Sequence, residues 1–276
     1  MQKIDSHQHF WQYSPETHGW ISDEMAVLKQ DFLPNNLAPL LKANNCTGCV
    51  AVQASQTLAE TDWLLSLAAQ NDFILGVVGW VDLRDPQLAN TLHRLSKNPK
   101  LKGVRHVIQD EPDDEFMLQA NFIRGVNLLA EYDLTYDLLI FEKHLPSALS
   151  FVEQVSGVPI VVDHIAKPNI SERELQPWKK NITALAQNSS AYCKISGIVT
   201  EANWQSWKYD DLLPYLDTVV EAFGTDRLMI GSDWPVCLLA AEYEGVMEIV
   251  NQYFAPFSEQ ERQHVFYQNA ADFYRL

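Results

Sequence analysis

Basic side chains are in short supply. Twenty Lys and Arg stand against 36 Asp and Glu, a formal net charge of −16. That imbalance excludes nucleic acid and anionic membrane as partners, since both are bound through basic surface. It also disfavours long-range steering of an anion, so a small neutral substrate is expected. Cysteine is sparse too. Cys46-Thr47-Gly48-Cys49 has C-x-x-C spacing, but no second pair completes a structural zinc site. Cys49 leads into the strand-like Val50-Ala51-Val52, not into the helix N-terminus where a redox thiol would sit. No apolar run approaches the ~20 residues of a membrane helix. Met1-Gln2-Lys3 runs straight into a strand pattern, so a secretory leader is not expected. Linkers and low-complexity stretches are missing as well. The expectation is one cytoplasmic domain over residues 1–276, compatible with a homo-oligomer.

Hydrophobic residues are present in quantity, at 47%, enough for a substantial core. They fall in short runs, each followed by a helical pattern. The runs cover 3–7, 48–54, 74–81, 101–107, 134–140, 159–163, 191–196 and 227–231. Most are too short for helices and are rich in Val, Ile and Leu, as strands buried on both faces should be. Helical periodicity marks 61–71, 88–96, 122–131, 211–223 and 258–274, the last opened by the capping pattern Ser258-Glu259-Gln260-Glu261. Eight strands alternating with helices predict an α/β fold, a single (β/α)8 TIM barrel. A doubly wound sheet would open with a Gly-rich phosphate turn, and none follows the first strand.

In such a barrel the site lies at the C-terminal ends of the strands. Polar residues end nearly every run: His7 and His9, Gln53, Trp80, Arg105 and His106, Asp137, His164 and Lys167, Lys194, and Asp233. His7 and His9 share one face of an extended segment, so they can ligate one metal or donate to one oxygen. Barrel closure would bring His164 and Asp233 to them. Asp233 is the candidate general base. An Asp with a pKa near ~3.9 is weak toward free water, so it needs help. That help is either a single zinc held by His7, His9, His164 and Asp233, or direct carbonyl polarisation by the histidines. Arg105, Lys167 and Lys194 are expected either in salt bridges with Asp82 or Asp137 or on substrate. His18, His93, His144 and His264 are expected mostly at the surface, His144 least firmly.

Taken together, these motifs resemble the amidohydrolase superfamily, and within it the amidohydrolase-related lactonases. The matching segments are Ile4-Asp5-Ser6-His7-Gln8-His9-Phe10-Trp11, Gly103-Val104-Arg105-His106, Asp163-His164-Ile165-Ala166-Lys167-Pro168, Lys194-Ile195-Ser196-Gly197 with Thr200-Glu201, and Gly231-Ser232-Asp233-Trp234-Pro235. The resemblance implies hydrolysis of a small neutral sugar lactone. Asp233 would take the proton from water, and His7, His9 and His164 would polarise the carbonyl or hold a metal. Arg105, His106, Trp80, Lys194, Lys167 and Gln53 would contact the sugar. The fifth run, Leu134-Thr135-Tyr136-Asp137-Leu138-Leu139-Ile140-Phe141, lacks the Lys, Glu or His that bridges paired metals in many members. One zinc, or none, is therefore expected. The alternatives are a metal-dependent decarboxylase or hydratase of the same superfamily, and a non-catalytic sugar-acid-binding barrel.

Overall fold

The computed structural model describes residues 1–276. Eight strands appear in chain order: β1 Lys3–Gln8, β2 Cys46–Val52, β3 Ile74–Gly79, β4 Leu101–Val107, β5 Thr135–Leu139, β6 Ile160–Val162, β7 Tyr192–Ile195 and β8 Leu228–Ile230. Every neighbouring pair is parallel and the spatial order is the chain order. The ring closes between β8 and β1. Gln8 bridges to Trp234, His9 N donates to Trp234 O at 2.7 Å, and Asp233 N donates to His7 O at 2.8 Å. This is a (β/α)8 TIM barrel.

Helices pack around it: α1 Pro34–Ala43, α2 Leu58–Gln70, α3 Leu88–Leu95, α4 Ala120–Leu128, α5 Leu145–Gln154, α6 Trp178–Gln187, α7 Tyr209–Phe223, α8 Tyr243–Phe254, α9 Glu259–Gln263 and α10 Asn269–Tyr274. The expected helix over 258–274 is a continuous segment interrupted by a π-turn, His264–Gln268, with the Ser258 hydroxyl capping Glu261 N as the pattern implied. α1, α5, α6 and α8 have no counterpart in the periodicity reading.

Alternation along the strands separates two apolar regions. Tyr136, Leu138, Cys193 and Ile195 join a 67-residue core between barrel and helices. Ile4, Val50, Val78, Val161 and Met229 face the lumen and pack with Phe273 and Tyr274 of α10. Above that apolar floor the lumen turns ionic, because Arg105, Asp137 and Lys194 occupy the inward positions of β4, β5 and β7. All four cysteines are free. His18 and His144 are buried, contrary to expectation: His18 packs on Trp11, and His144 Nδ1 accepts Phe141 N at 3.1 Å.

Candidate active site

Two catalytic-type side chains sit on backbone that L-residues avoid. Asp233 has φ +56°, and His164, Ile165, Ala166 and Lys167 follow one another with φ between +46° and +59°. Left-handed geometry costs about 1–2 kcal/mol per residue, so the surrounding packing must over-determine it. Ile165 and Ala166 are fully buried, and Trp178 Nε1 donates to Ile165 O at 2.8 Å. The turn sets His164 and Lys167 together in one cleft wall. Two glycines leave room for the rings. A Cβ on Gly197 would lie 2.6 Å from His164 Nδ1, and one on Gly231 would lie 2.6 Å from His7 Cβ.

Barrel closure assembles the rest. His9 Nε2 lies 3.3 Å from Asp233 Oδ1 and 3.2 Å from His7 Nε2. His7 Nε2 and His164 Nε2 are 3.8 Å and 3.9 Å from the same carboxylate oxygen. Asp5 ties the two strand ends together, accepting Ser232 N and His7 N on Oδ1 and the Ser232 and Tyr243 hydroxyls on Oδ2. Burial drives the His7 pKa far below its ordinary value and lowers that of His164 to about 4. Both rings are neutral at pH 7. Burial pushes the Asp233 carboxyl up, but the surrounding histidines, His164 foremost, hold it well below the usual carboxylate range. Asp233 is therefore ionised.

This donor set fits a metal ion. His9 Nδ1 is 2.8 Å from the Val52 carbonyl, which only accepts, so His9 Nε2 turns a lone pair toward Asp233. A lone pair and a carboxylate oxygen then face one another at 3.3 Å with no proton between them. Two donors on a tetrahedral zinc, with bonds of about 2.0–2.1 Å, stand roughly 3.3 Å apart. The ligand atoms of His7, His164 and Asp233 all lie within 4.8 Å of one another.

Residues 4–276 match the profile of a known family, Amidohydrolase. The chain belongs to that family. Among its amidohydrolase relatives is an L-fucono-1,5-lactonase of Burkholderia multivorans, 42% identical over 91% of this chain and 88% of that one. A second L-fucono-1,5-lactonase, from Burkholderia ambifaria, is 34% identical over 99% and 96% of the two chains. A crystal structure of a Burkholderia multivorans amidohydrolase with bound zinc is similar over 100% of both chains, with a TM-score of 0.96 and 42% identity.

Under the four site residues lies an ionic layer. Lys194 Nζ is 2.5 Å from Asp137 Oδ2, 3.0 Å from Asp163 Oδ1 and 3.1 Å from His7 Nδ1. Arg105 Nη1 reaches Asp163 Oδ2 at 3.1 Å and His7 Nε2 at 3.2 Å, and its Nε and Nη2 donate to Gln53. Two cations balance two carboxylates in a space where only Arg105 keeps a little surface toward the cleft, which is how buried charge is tolerated. Lys194, with His7, holds Asp163 well below the carboxylate range despite its burial, whereas burial raises Asp137 to about 6. Asp137 and Asp163 thus share Lys194. Arg105 pairs with Asp163 rather than Asp82, which lies at the surface with Arg84.

A cleft of about 670 Å³ opens above this layer. His9, His164 and Asp233 form its base, and Arg105 and Lys167 line it. His7 lies just below, fully buried. The other four residues expected on substrate lie outside the lining. Gln53 and Lys194 are wholly buried beneath the base. Trp80 Nε1 donates to His106 Nδ1, and His106 Nε2 meets Glu111 at 2.7 Å, a clasp under the loop that carries Gln109 and Asp110 into the cleft. The sequence reading did not single out Trp20, Gln109, Asp110 or Trp204, which also line the cleft. They sit in turns and a short 3-10 segment, Ile108–Asp110, too brief to show periodicity. Glu201 was visible only as part of a family segment. It lies 3.7 Å from Lys167 Nζ, and burial raises its pKa.

Proposed function

We propose that this protein hydrolyses the lactone of a sugar acid, of the L-fucono-1,5-lactone type, with Asp233 as the proton acceptor. The observation that carries the reading is a buried carboxylate at the base of the cleft, with three imidazole nitrogens 3.3–3.9 Å from one of its oxygens and a backbone that fixes its aim. Both amidohydrolase relatives above bear lactonase names. The decarboxylase, hydratase and binding-barrel alternatives gain no support from them.

Asp233 accepts a proton as water adds to the ring carbonyl. When the tetrahedral adduct collapses, the ring C–O bond breaks and the same proton passes to the departing alkoxide. Arg105 has an acceptor for each of its nitrogens, so it contributes positive field and holds His7 in place. Lys167, with N–H directions to spare beside Glu201, takes a substrate oxygen. Trp20, Trp204 and Phe141 cover the sugar's apolar face and exclude water. Held by His7, His164 and Asp233 with His9 beside them, a zinc ion would add Lewis-acid polarisation of the carbonyl oxygen. The substrate is neutral and the product is a carboxylate, so a chain of net charge −16 favours its departure.

A pH-indicator assay against a panel of aldonolactones, with and without chelator, tests this. Acid release from 6-deoxy-L-sugar lactones is expected. Release lost with chelator and restored by zinc supports the metal. No release from any lactone, with or without zinc, sinks the proposal.

A further inference from the structure

The barrel's opposite mouth is closed by α10, and that closure reaches the catalytic layer. Lys102 Nζ donates to Arg275 O at 2.8 Å, and Arg275 Nη1 reaches Asp133 O beside the entrance to β5. Tyr274, 1% exposed, projects up the lumen among Ile4, Val50 and Met229. Its hydroxyl donates to Asp137 Oδ2 at 2.7 Å, and Lys194 Nζ stands 5.4 Å from its ring centroid. Asp137 Oδ2 accepts from Lys194 as well, while Asp137 Oδ1 has no partner. Lys194 in turn meets His7 Nδ1 at 3.1 Å. A buried line therefore runs from Tyr274 through Asp137 and Lys194 to His7.

His7 Nδ1 is contested. Lys194 can only donate to it, and Asp163 Oδ1, at 3.3 Å, can only accept from it. With Lys194 close, Nδ1 accepts and the ring proton is pushed to Nε2, where it opposes the Arg105 Nη1 donor at 3.2 Å. With Lys194 drawn away, Nδ1–H goes to Asp163 and the Nε2 lone pair faces Arg105, His9 and Asp233. The position of one ammonium thus selects the tautomer of a site histidine.

We propose that Tyr274 is a positioning residue for His7, acting through Asp137 and Lys194 from the far end of the barrel. Its kinetic test rests on the lactonase reading. The groups facing Asp137 are Lys194 from β7, Asp163 from the exit of β6, Arg105 from β4 and Tyr274 from α10, while Tyr136 of its own strand packs in the outer core. Burial raises Asp137 to about 6. The tyrosine O–H favours the ionised carboxylate, so losing it raises Asp137 further and neutralises the anchor of Lys194 at a higher pH.

Tyr274→Phe removes that O–H and keeps the ring. The acidic limb of kcat against pH is expected to move up by about one to two units, the weight of a hydrogen bond to a charged group. At pH 6, kcat falls about fivefold or more if the limb moves by about one unit, while KM stays within about twofold because the cleft lining is untouched. In metal-free protein the ¹⁵N shifts of the His7 ring nitrogens move as the tautomer balance changes. In an Asp137→Asn background the same substitution adds nothing, since the line is already cut. An unmoved pH limb with unmoved ¹⁵N shifts overturns the proposal, as does a loss of melting temperature alone or additivity with Asp137→Asn. If the unaltered protein opens no lactone, the lactonase reading fails, and the His7 ¹⁵N comparison still decides the role of Tyr274.

Discussion

Asp233→Asn separates chemistry from folding unusually well. Asn is one of the few residues that tolerates left-handed backbone, so the φ of +56° carries little penalty. The side chain is isosteric. Its amide can donate to the His9 Nε2 lone pair that now faces Asp233 Oδ1 at 3.3 Å, so the neighbouring rings keep a partner. The loss is confined to one carboxylate, which is the base and also a donor to a bound zinc, so zinc-loaded and metal-free protein are compared. A positioned general base is worth about 10²–10⁴ in rate, and the expected fall in kcat is at least ~100-fold. KM should stay within a few-fold, because the carboxylate is only one of many surfaces in the cleft. Melting temperature should barely change. The assay is proton release at fixed zinc concentration and without zinc, with thermal melts on the same preparations. Retention of kcat to within a few-fold would refute the proton-transfer role outright. A collapse of stability would refute the tolerance argument.

Three further outcomes follow from the geometry. Gly197→Ala places a Cβ 2.6 Å from His164 Nδ1 on a backbone with φ +62°, so stability should drop by about 1–3 kcal/mol and kcat by up to ~100-fold through a displaced ring; normal kinetics would contradict the close approach. Lys194→Met leaves Asp137 and Asp163 without their shared cation, and urea unfolding should register a loss of about 3–5 kcal/mol. A loss under about 1 kcal/mol would mean that the layer relaxes with water. The third concerns acid. His164, near 6.5 unfolded and about 4 folded, stabilises fully above pH 6.5, and that contribution of about 3 kcal/mol is lost as pH falls toward 4. His7 shifts in the same direction. Asp137 has the opposite sign: its folded value of about 6 lies above its unfolded one, so it stabilises below about pH 3.9 and the effect is lost as pH rises through 6. Metal-free Asp137→Asn should therefore lose stability more steeply than the unaltered chain between pH 6.5 and 4, read as urea midpoints. Parallel curves would remove Asp137 from the balance.

The eight strands were legible because a parallel barrel strand is buried on both faces, and short Val- and Ile-rich runs are what that environment selects. The run 101–107 coincides with β4. β6 and β8 are three residues each, shorter than their runs, because the turn Asp163–Ala166 takes Asp163 and the turn Thr225–Arg227 takes Arg227. The missed helices divide by cause. α1 carries Pro39 inside it, so propensity argued against it, whereas α5 carries Pro146 in its first turn, where proline is tolerated. α8 buries Tyr243, Val246, Met247, Val250 and Phe254, a helical stripe that was present to be read.

For the site, the strand-end rule located residues but not their depth. Arg105, Lys194 and Asp137 all point inward near strand ends, and nothing in a linear pattern says which of them meets the cleft. Register decides it. Arg105 lies opposite Asp137, and Lys194 opposite Met229 on the apolar floor, so Lys194 is sealed while Arg105 still reaches the opening. Sealing changes what a charge can do. Lys194 has no exposed surface and three buried partners, so it governs where the proton sits on His7. Lys167 keeps one distant partner and an open face, so it remains available to substrate. The two lysines look alike at the ends of apolar runs. Their chemistry diverges because one follows a left-handed turn that lifts it into the cleft, and the other stays within its strand.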